Sequence, residues 1–229
     1  MISSQTILYA LAGGILPALV WLWFWLGEDK LHPEPRKVII ATFIGGMIAV
    51  PLVIPFQSLL QTYFGSGSLS VMFVLWVIVE EFFKFLAAYT FGIRLRDDDE
   101  PIDPIVYMIT AAIGFAAAEN ALYLFTPLSA DNFLGGLAVG NLRFMGSSLL
   151  HIVSSAAIGI ALGFAFYKSR RMKILFGFTG FLVAVVLHSL FNLLILHSDG
   201  TTAFSVFYGV WVVILALLLF FEKLKKIEG

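Results

Sequence analysis

Runs of roughly 20 mostly apolar residues recur along this chain, and no other feature limits its possible folds so strongly. A helix needs about 20 such residues to cross the ~30 Å hydrocarbon core of a bilayer. The runs predict seven spans, at residues 5–26, 38–60, 69–92, 105–125, 143–167, 174–197 and 203–221. Residues 128–142 are Gly-rich, which predicts a loop or a short interfacial helix. We expect an all-α, polytopic membrane helix bundle of about seven transmembrane helices.

Composition supports a chain dissolved in lipid. Of its residues, 60% are hydrophobic and 13% are charged, against about 45–50% and about 25% in soluble domains. The absence of cysteine excludes thiol catalysis, disulfides and Cys-ligated metal. A net charge of −1 gives no reason to expect a nucleic-acid partner. We expect residues 1–229 to form a single membrane domain.

The basic residues predict the orientation of the chain. Of the 14 lysines and arginines, all but Lys84 and Arg143 lie on alternate connections between the spans or after the last span. Those connections hold Lys30, Arg36 and Lys37; Arg94 and Arg96; Lys168, Arg170, Arg171 and Lys173; and Lys223, Lys225 and Lys226. The positive-inside rule therefore predicts an N-terminus outside and a C-terminus in the cytoplasm. Arg143, near the outer end of the fifth span, is interpreted as an interface anchor, with contact to the substrate as the alternative.

A small set of ionisable and amide residues interrupts the spans. The set consists of Glu80, Glu81, Lys84, Glu119, Asn120, His151, His188 and Asn192. Such groups are costly in lipid, so they normally face a protein interior or a water-filled cavity. Counted from the outer ends of their helices, Glu80, Glu119, His151 and His188 lie roughly 9–17 Å deep at 1.5 Å per residue. The sequence thus predicts one functional layer in the outer half of the membrane.

Helical spacing refines this layer. Glu80 and Lys84 are four residues apart, and Glu81 and Lys84 three apart, so Lys84 is expected to neutralise one of the two carboxylates. His188 and Asn192 are also four apart and project from the same helix face. The serines around His151 are interpreted as close-packing residues.

Carboxylates and imidazoles without a thiol favour activation of water. A glutamate can accept the proton of water, and a histidine can donate to a leaving group or stabilise an oxyanion. The reaction predicted is hydrolysis of a peptide bond within the membrane. Two alternatives remain open, a proton-coupled transporter that uses the same residues as a relay and an inactive scaffold that binds helices.

The motifs resemble those of the PrsW intramembrane proteases, which belong with the type II CAAX prenyl endopeptidases and bacteriocin-processing proteins. The matching motifs are Glu80-Glu81-x-x-Lys84, Phe115-x-x-x-Glu119-Asn120, His151 and His188-x-x-x-Asn192, preceded by the Pro-rich stretch 29–36. The resemblance implies a multi-pass protein of a prokaryotic plasma membrane. It also implies cleavage of a single-span membrane protein, such as an anti-sigma factor, near the extracytoplasmic side.

The resemblance also suggests a role for each residue. Glu80 or Glu81 would be the general base, with the other structural or paired with Lys84. Glu119 and His151 would complete the water site, and His188 and Asn192 would stabilise the oxyanion. Glu119, His151 and His188 also form the two-His, one-Glu set of a catalytic zinc site. A zinc-dependent mechanism and a metal-free mechanism both remain open. Membrane lipid is expected to surround the protein.

Overall fold

The computed structural model describes residues 4–29, 32–130, 132–197 and 200–227. For residues 200–204 it describes the backbone alone. Every regular element in these residues is helical. The helices are α1 (Ser4–Leu26), α2 (Arg36–Phe64), α3 (Leu69–Ala88), α4 (Asp103–Ser129), α5 (Phe133–Leu142), α6 (Ser148–Phe164), α7 (Arg170–Leu196) and α8 (Gly200–Leu224). A π-helical turn extends α3 over Tyr89–Ile93, and a second joins α5 to α6 over Arg143–Ser147. Lys30, used above for the orientation, lies outside the described residues.

Seven long helical segments correspond to the seven predicted spans, which confirms the all-α polytopic class. Among the described residues, six are long and apolar enough to cross a membrane: Ser4–Leu26, Arg36–Phe64, Asp103–Ser129, Phe133–Phe164, Arg170–Leu196 and Ser205–Leu224. The remaining segment, α3, differs because it carries Glu80, Glu81 and Lys84. Because α3 packs against α2, α4 and α7, those charged groups are enclosed by protein rather than lipid.

Helix α4 lies at the centre of the bundle. It packs against α1, α2 and α6, and 83% of its most apolar stretch is buried inside the protein. Glycines allow the helices to approach closely: a methyl group added at Gly14, Gly114 or Gly159 would overlap backbone atoms of a neighbouring helix. Small residues at helix crossings are the usual means of packing in membranes. Glu119, in the second half of α4, is therefore held in a closely packed helix.

The connection between α1 and α2 is fixed to the start of α4 by carboxyl groups. The Tyr107 hydroxyl donates a hydrogen bond to Glu34, and Asp103 accepts from the backbone N–H groups of Asp99 and Glu100 at 2.8 and 2.6 Å. Burial raises the pKa of Glu34 to about 9; contact with Asp103 adds to this shift, and the Tyr107 hydrogen bond opposes it. This part of the Pro-rich stretch therefore holds a protonated carboxyl group near neutral pH.

The fifth span begins earlier than the sequence predicts. Residues 133–142 form α5, and the π-helical turn carries the chain into α6 without a break, so Phe133–Phe164 is one helical segment of 32 residues. The predicted loop or interfacial helix at residues 128–142 instead consists of the end of α4, a short connection and α5. Glycines at 135, 136 and 140 lowered the apparent helical tendency there.

Candidate active site

A cavity of about 380 Å³ opens between α2, α3, α4, α6 and α7. It contains five of the six predicted catalytic residues in its lining: Glu80, Glu119, His151, His188 and Asn192. The sixth, Glu81, lies directly behind it and is fully buried. Four helices separated in sequence therefore bring the predicted residues to one place.

Glu81 is the hub of a buried hydrogen-bond network. Its Oε1 accepts from Lys84 Nζ at 2.6 Å and from Ser154 Oγ at 2.9 Å, and it lies 2.7 Å from His188 Nδ1. Its Oε2 accepts from Ser155 Oγ at 2.8 Å. A carboxylate with this many partners is fixed in place and has little freedom to take a proton from water. The structure thus gives Lys84 the neutralising role expected from the sequence, and Glu81 is its partner.

Glu80 has a different environment from its neighbour. Its Oε1 accepts from Gln57 Nε2 at 2.9 Å, and its Oε2 lies 3.6 Å from His188 Nε2. The side chain borders the cavity and is 12% exposed, whereas that of Glu81 is 0% exposed. One carboxylate oxygen therefore faces the space where a water molecule and a substrate would meet.

His151 connects the buried network to Glu119. Lys84 Nζ is 3.0 Å from His151 Nδ1, and His151 Nε2 is 2.9 Å from Glu119 Oε2. If the Lys84 ammonium donates to Nδ1, the ring proton of His151 resides on Nε2 and is donated to Glu119. The Phe115 ring packs against both His151 and Lys84. Its centroid lies 5.4 Å from the centroid of the His151 ring and 4.9 Å from Lys84 Nζ.

Arg143 lines the cavity, so its contacts correspond to the alternative of a residue near the substrate rather than to an interface anchor. Its guanidinium pairs with Glu119 through Nη2, and its Nε donates to Asn120 Oδ1 at 2.6 Å. The guanidinium carbon Cζ of Arg143 also lies 3.8 Å from the centroid of the Tyr123 ring. The π-helical turn that begins at Arg143 sets this direction, which residue counting along a regular helix does not reproduce.

Three donor groups are close enough to share a metal ion. Atoms of Glu80, His151 and His188 lie within 4.8 Å of one another, and all three residues are buried. Two imidazoles and one carboxylate suit zinc. Glu81 at His188 Nδ1 is the kind of partner that orients a metal-binding imidazole. The sequence assigned Glu119 as the carboxylate ligand, whereas the geometry favours Glu80 because Glu119 is paired with Arg143.

The sequence reasoning missed several residues of the site. Gln57 contacts Glu80, and Ser154 and Ser155 contact Glu81. Trp76 and Tyr123 line the cavity. The serines were visible on the His151 helix but were interpreted as packing residues. Gln57 could have been found from the sequence, because a polar amide side chain inside the predicted second span indicates a partner within the protein.

Comparisons with known proteins agree with the motifs. The family model described as PrsW family intramembrane metalloprotease matches residues 34–219. Six curated relatives carry the name Protease PrsW, and three of them illustrate the range of similarity. The relative from Geobacillus kaustophilus is 25% identical over 95% of this chain and 90% of its own length. The relative from Halalkalibacterium halodurans is 27% identical over 81% of this chain and 83% of its own length. The relative from Shouchella clausii is 30% identical over 93% of this chain and 94% of its own length. No solved structure matches the chain.

Proposed function

The chain belongs to the PrsW family of intramembrane metalloproteases, and from that premise we propose that it cleaves single-span membrane proteins at the cavity around Glu80, His151 and His188. It is a membrane peptidase and a multi-pass integral protein of a prokaryotic plasma membrane. The observation that carries the proposal is the convergence of these three donor groups in a cavity bordered by five helices. We treat residues 1–229 as one protease domain.

In a metal-free mechanism Glu80 is the proposed general base, and with zinc bound it is the proposed carboxylate ligand. It borders the cavity with one oxygen held by Gln57, so the other is placed to accept a proton from water. Glu81 is assigned a positioning role because it fixes Lys84 and His188 from behind the cavity. The different surroundings of the two carboxylates support this choice between them.

The remaining residues are proposed to stabilise charge on the substrate. Asn192 lies one helical turn beyond His188 and lines the same cavity, so its amide can donate to a carbonyl oxygen as negative charge develops there. Glu119 orients His151 through Nε2, and Arg143 balances the charge of Glu119. Arg143 is a further polar group that borders the cavity.

Zinc is the proposed metal. Bound by Glu80, His151 and His188, it would supply a Lewis acid that activates water and polarises the scissile carbonyl. The residues of the chain fit such an ion by donor type and by proximity. To bind through Nε2 as a neutral imidazole, His151 would give its Nε2 proton to Glu119 and take a proton on Nδ1, where Lys84 is the adjacent donor.

The substrate class follows from the position of the cavity. A membrane helix must unwind before its backbone can be hydrolysed, and the periphery of the bilayer is where water can satisfy the freed groups. With the predicted N-out orientation, the catalytic residues lie in the outer half of the membrane. We therefore propose cleavage near the outer end of a single span, in a protein resembling an anti-sigma factor. Family membership argues against the transporter and inactive-scaffold alternatives.

Comparing membrane proteomes tests the proposal. Cells that express the parent chain should yield new peptide termini in single-span proteins, and cells that express Glu80→Gln, His151→Ala or His188→Ala should not. Glu222→Gln, on exposed surface, is the matched control and should give the parental pattern. Identical termini in parent and His188→Ala cells, at equal membrane abundance, would overturn the proposed site.

A further inference from the structure

A second large cavity lies between α3, α6 and α7, and we call it the α3/α6/α7 groove. Its volume is about 750 Å³, compared with about 380 Å³ for the catalytic cavity. Phe85 and Tyr89 form one wall, Leu162 of α6 and Phe178 of α7 form the other, and the lining is mainly apolar. The two cavities have no lining residue in common among the described residues. The groove is therefore a separate site.

Three basic side chains from two separate elements lie at one end of this groove. Arg94 follows the π-helical turn that extends α3, and Arg170 and Lys173 lie in the first turn of α7. Asp98 is the acidic residue in the lining, and burial raises its pKa to about 7, with Asp103 adding to the shift and Lys173 opposing it. The end of the groove therefore carries a net positive charge near neutral pH.

The start of α7 adds to this positive potential. Its first turn has no acidic residue, and the side chain of its N-cap, Ser169, makes no capping hydrogen bond. The backbone N–H groups of a helix N-terminus attract anions, and cations there are unfavourable because they meet the positive end of the helix dipole. Arg170 and Lys173 are placed against that preference. An anion bound between them would relieve the repulsion.

We propose that the α3/α6/α7 groove binds an anionic phospholipid, with its phosphate between Arg94, Arg170 and Lys173 and its acyl chains along the apolar walls. Basic pockets between membrane helices on the cytoplasmic side are suited to acidic headgroups. Topology alone explains why basic residues are frequent on this side. It does not explain why three of them line one apolar groove. The inference does not rest on the proposed protease activity.

A matched pair of triple variants tests the lipid site. Arg94→Gln/Arg170→Gln/Lys173→Gln removes two arginines and one lysine from the groove. Arg96→Gln/Lys168→Gln/Arg171→Gln removes the same number and types from neighbouring positions that do not line it. Purified full-length proteins in detergent are titrated with phosphatidylglycerol and examined by native mass spectrometry. Phosphatidylcholine with the same acyl chains, and inorganic phosphate, are titrated in parallel.

The parent and the neighbouring triple variant should bind one phosphatidylglycerol, and the groove triple variant should bind it on the order of 100-fold more weakly. Phosphatidylcholine and phosphate alone should bind weakly to every protein. Gly177→Phe, which adds a ring in the groove and leaves all charges in place, should also weaken phosphatidylglycerol binding. Equal losses in both triple variants, or equal affinity for the two lipids, would overturn the proposal.

Discussion

Glu80 and Glu81 are adjacent in sequence, and their side chains have opposite surroundings. Glu81 accepts from Lys84, Ser154 and Ser155 and contacts His188, all within the protein. Glu80 contacts Gln57 and borders the cavity. On a helix, neighbouring residues point about 100° apart, so one can face the cavity while the other anchors the bundle.

We predict that the two glutamates differ in what their loss removes. Glu80→Gln should leave a folded protein with hydrolysis reduced by at least about 10²-fold, because a metal ligand or, without metal, the general base is lost. Glu81→Gln should destabilise the fold by about 3–5 kcal/mol, because Lys84 is left as a buried charge without its partner. Thermal unfolding in detergent and a cleavage assay on the same preparations measure both effects. A stable, inactive Glu81→Gln together with an active Glu80→Gln would reverse the assignment.

Metal content distinguishes the two candidate carboxylate ligands. We predict about one zinc per chain, lost in Glu80→Gln, His151→Ala and His188→Ala and largely retained in Glu119→Gln. Zinc binding should weaken at acidic pH, because the imidazole nitrogen must be free of its proton. Elemental analysis of the purified proteins provides the measurement. Retention by Glu80→Gln with loss in Glu119→Gln would support the set expected from sequence. Full hydrolysis by metal-free protein would exclude zinc catalysis.

The sequence indicated which residues would meet but, apart from Lys84 with a glutamate of its own helix, it did not indicate how they pair. Helical spacing alone placed His188 and Asn192 on one face, and both line the cavity. The partners of Glu119 could not be predicted this way because Arg143 belongs to another helix and to a π-helical turn. Gln57 was missed for a related reason: its contact with Glu80 depends on how α2 lies against α3.

At the scale of elements, the position of the site depends on close crossings with α4. Gly114 of α4 lies against the backbone of Phe43 in α2, and Gly46 of α2 lies against Ala111. These contacts hold α2, which supplies Gln57, beside α4, which supplies Glu119. A larger residue at either glycine would separate two walls of the cavity.

We predict that Gly114→Val lowers the free energy of unfolding by about 1–3 kcal/mol, because the added methyl groups meet backbone atoms that cannot move aside. Gly209→Val is the matched control, since a Cβ atom there meets nothing within 4 Å. It should change stability by less than about 0.5 kcal/mol. Thermal unfolding in detergent measures both variants. Equal effects at the two positions would argue against the close crossing.

The connection before α2 should make stability depend on pH. Glu34 has a pKa of about 9 in the folded chain against 4.5 for the free group. Between these values the unfolded chain ionises while the folded chain retains the proton, so stability should fall as pH rises. Glu34→Gln mimics the protonated form and should unfold at a higher temperature than the parent at pH 8 and at a similar temperature near pH 5. Asp97→Asn, at an exposed position, should retain the parental pH dependence. A lower midpoint for Glu34→Gln at pH 8 would contradict this interpretation.

At the scale of the whole molecule, the number of helical segments could be predicted because apolar length is a strong signal. The start of the fifth segment could not, because its glycines resemble a loop in sequence and become helical only when packed. The central position of α4 in the bundle also required the structure, because the apolar residues of α4 are not concentrated on one face.

We predict an N-terminus outside and cleavage near the outer end of the substrate span. The natural chain has no cysteine, so single cysteines can be introduced directly. A cysteine replacing Ser66 should react with a membrane-impermeant maleimide in intact cells, whereas one replacing Ser169 should react only after permeabilisation. Mass spectrometry of product termini then locates the cut. Labelling in the opposite order, or cuts confined to the cytoplasmic side, would overturn the proposed topology or the site.

The π-helical turn at Arg143–Ser147 also has an evolutionary consequence. The Ser148 N–H reaches back five residues to the Arg143 carbonyl, so the turn holds one residue more than a regular helix. Loss of a single codon there would restore regular winding and leave the flanking helices facing nearly as before, because the π-helical turn absorbs its extra residue within about one rotation. Descendants of this gene can thus shorten the segment by a deletion that preserves the reading frame, without changing which faces of α5 and α6 meet the bundle.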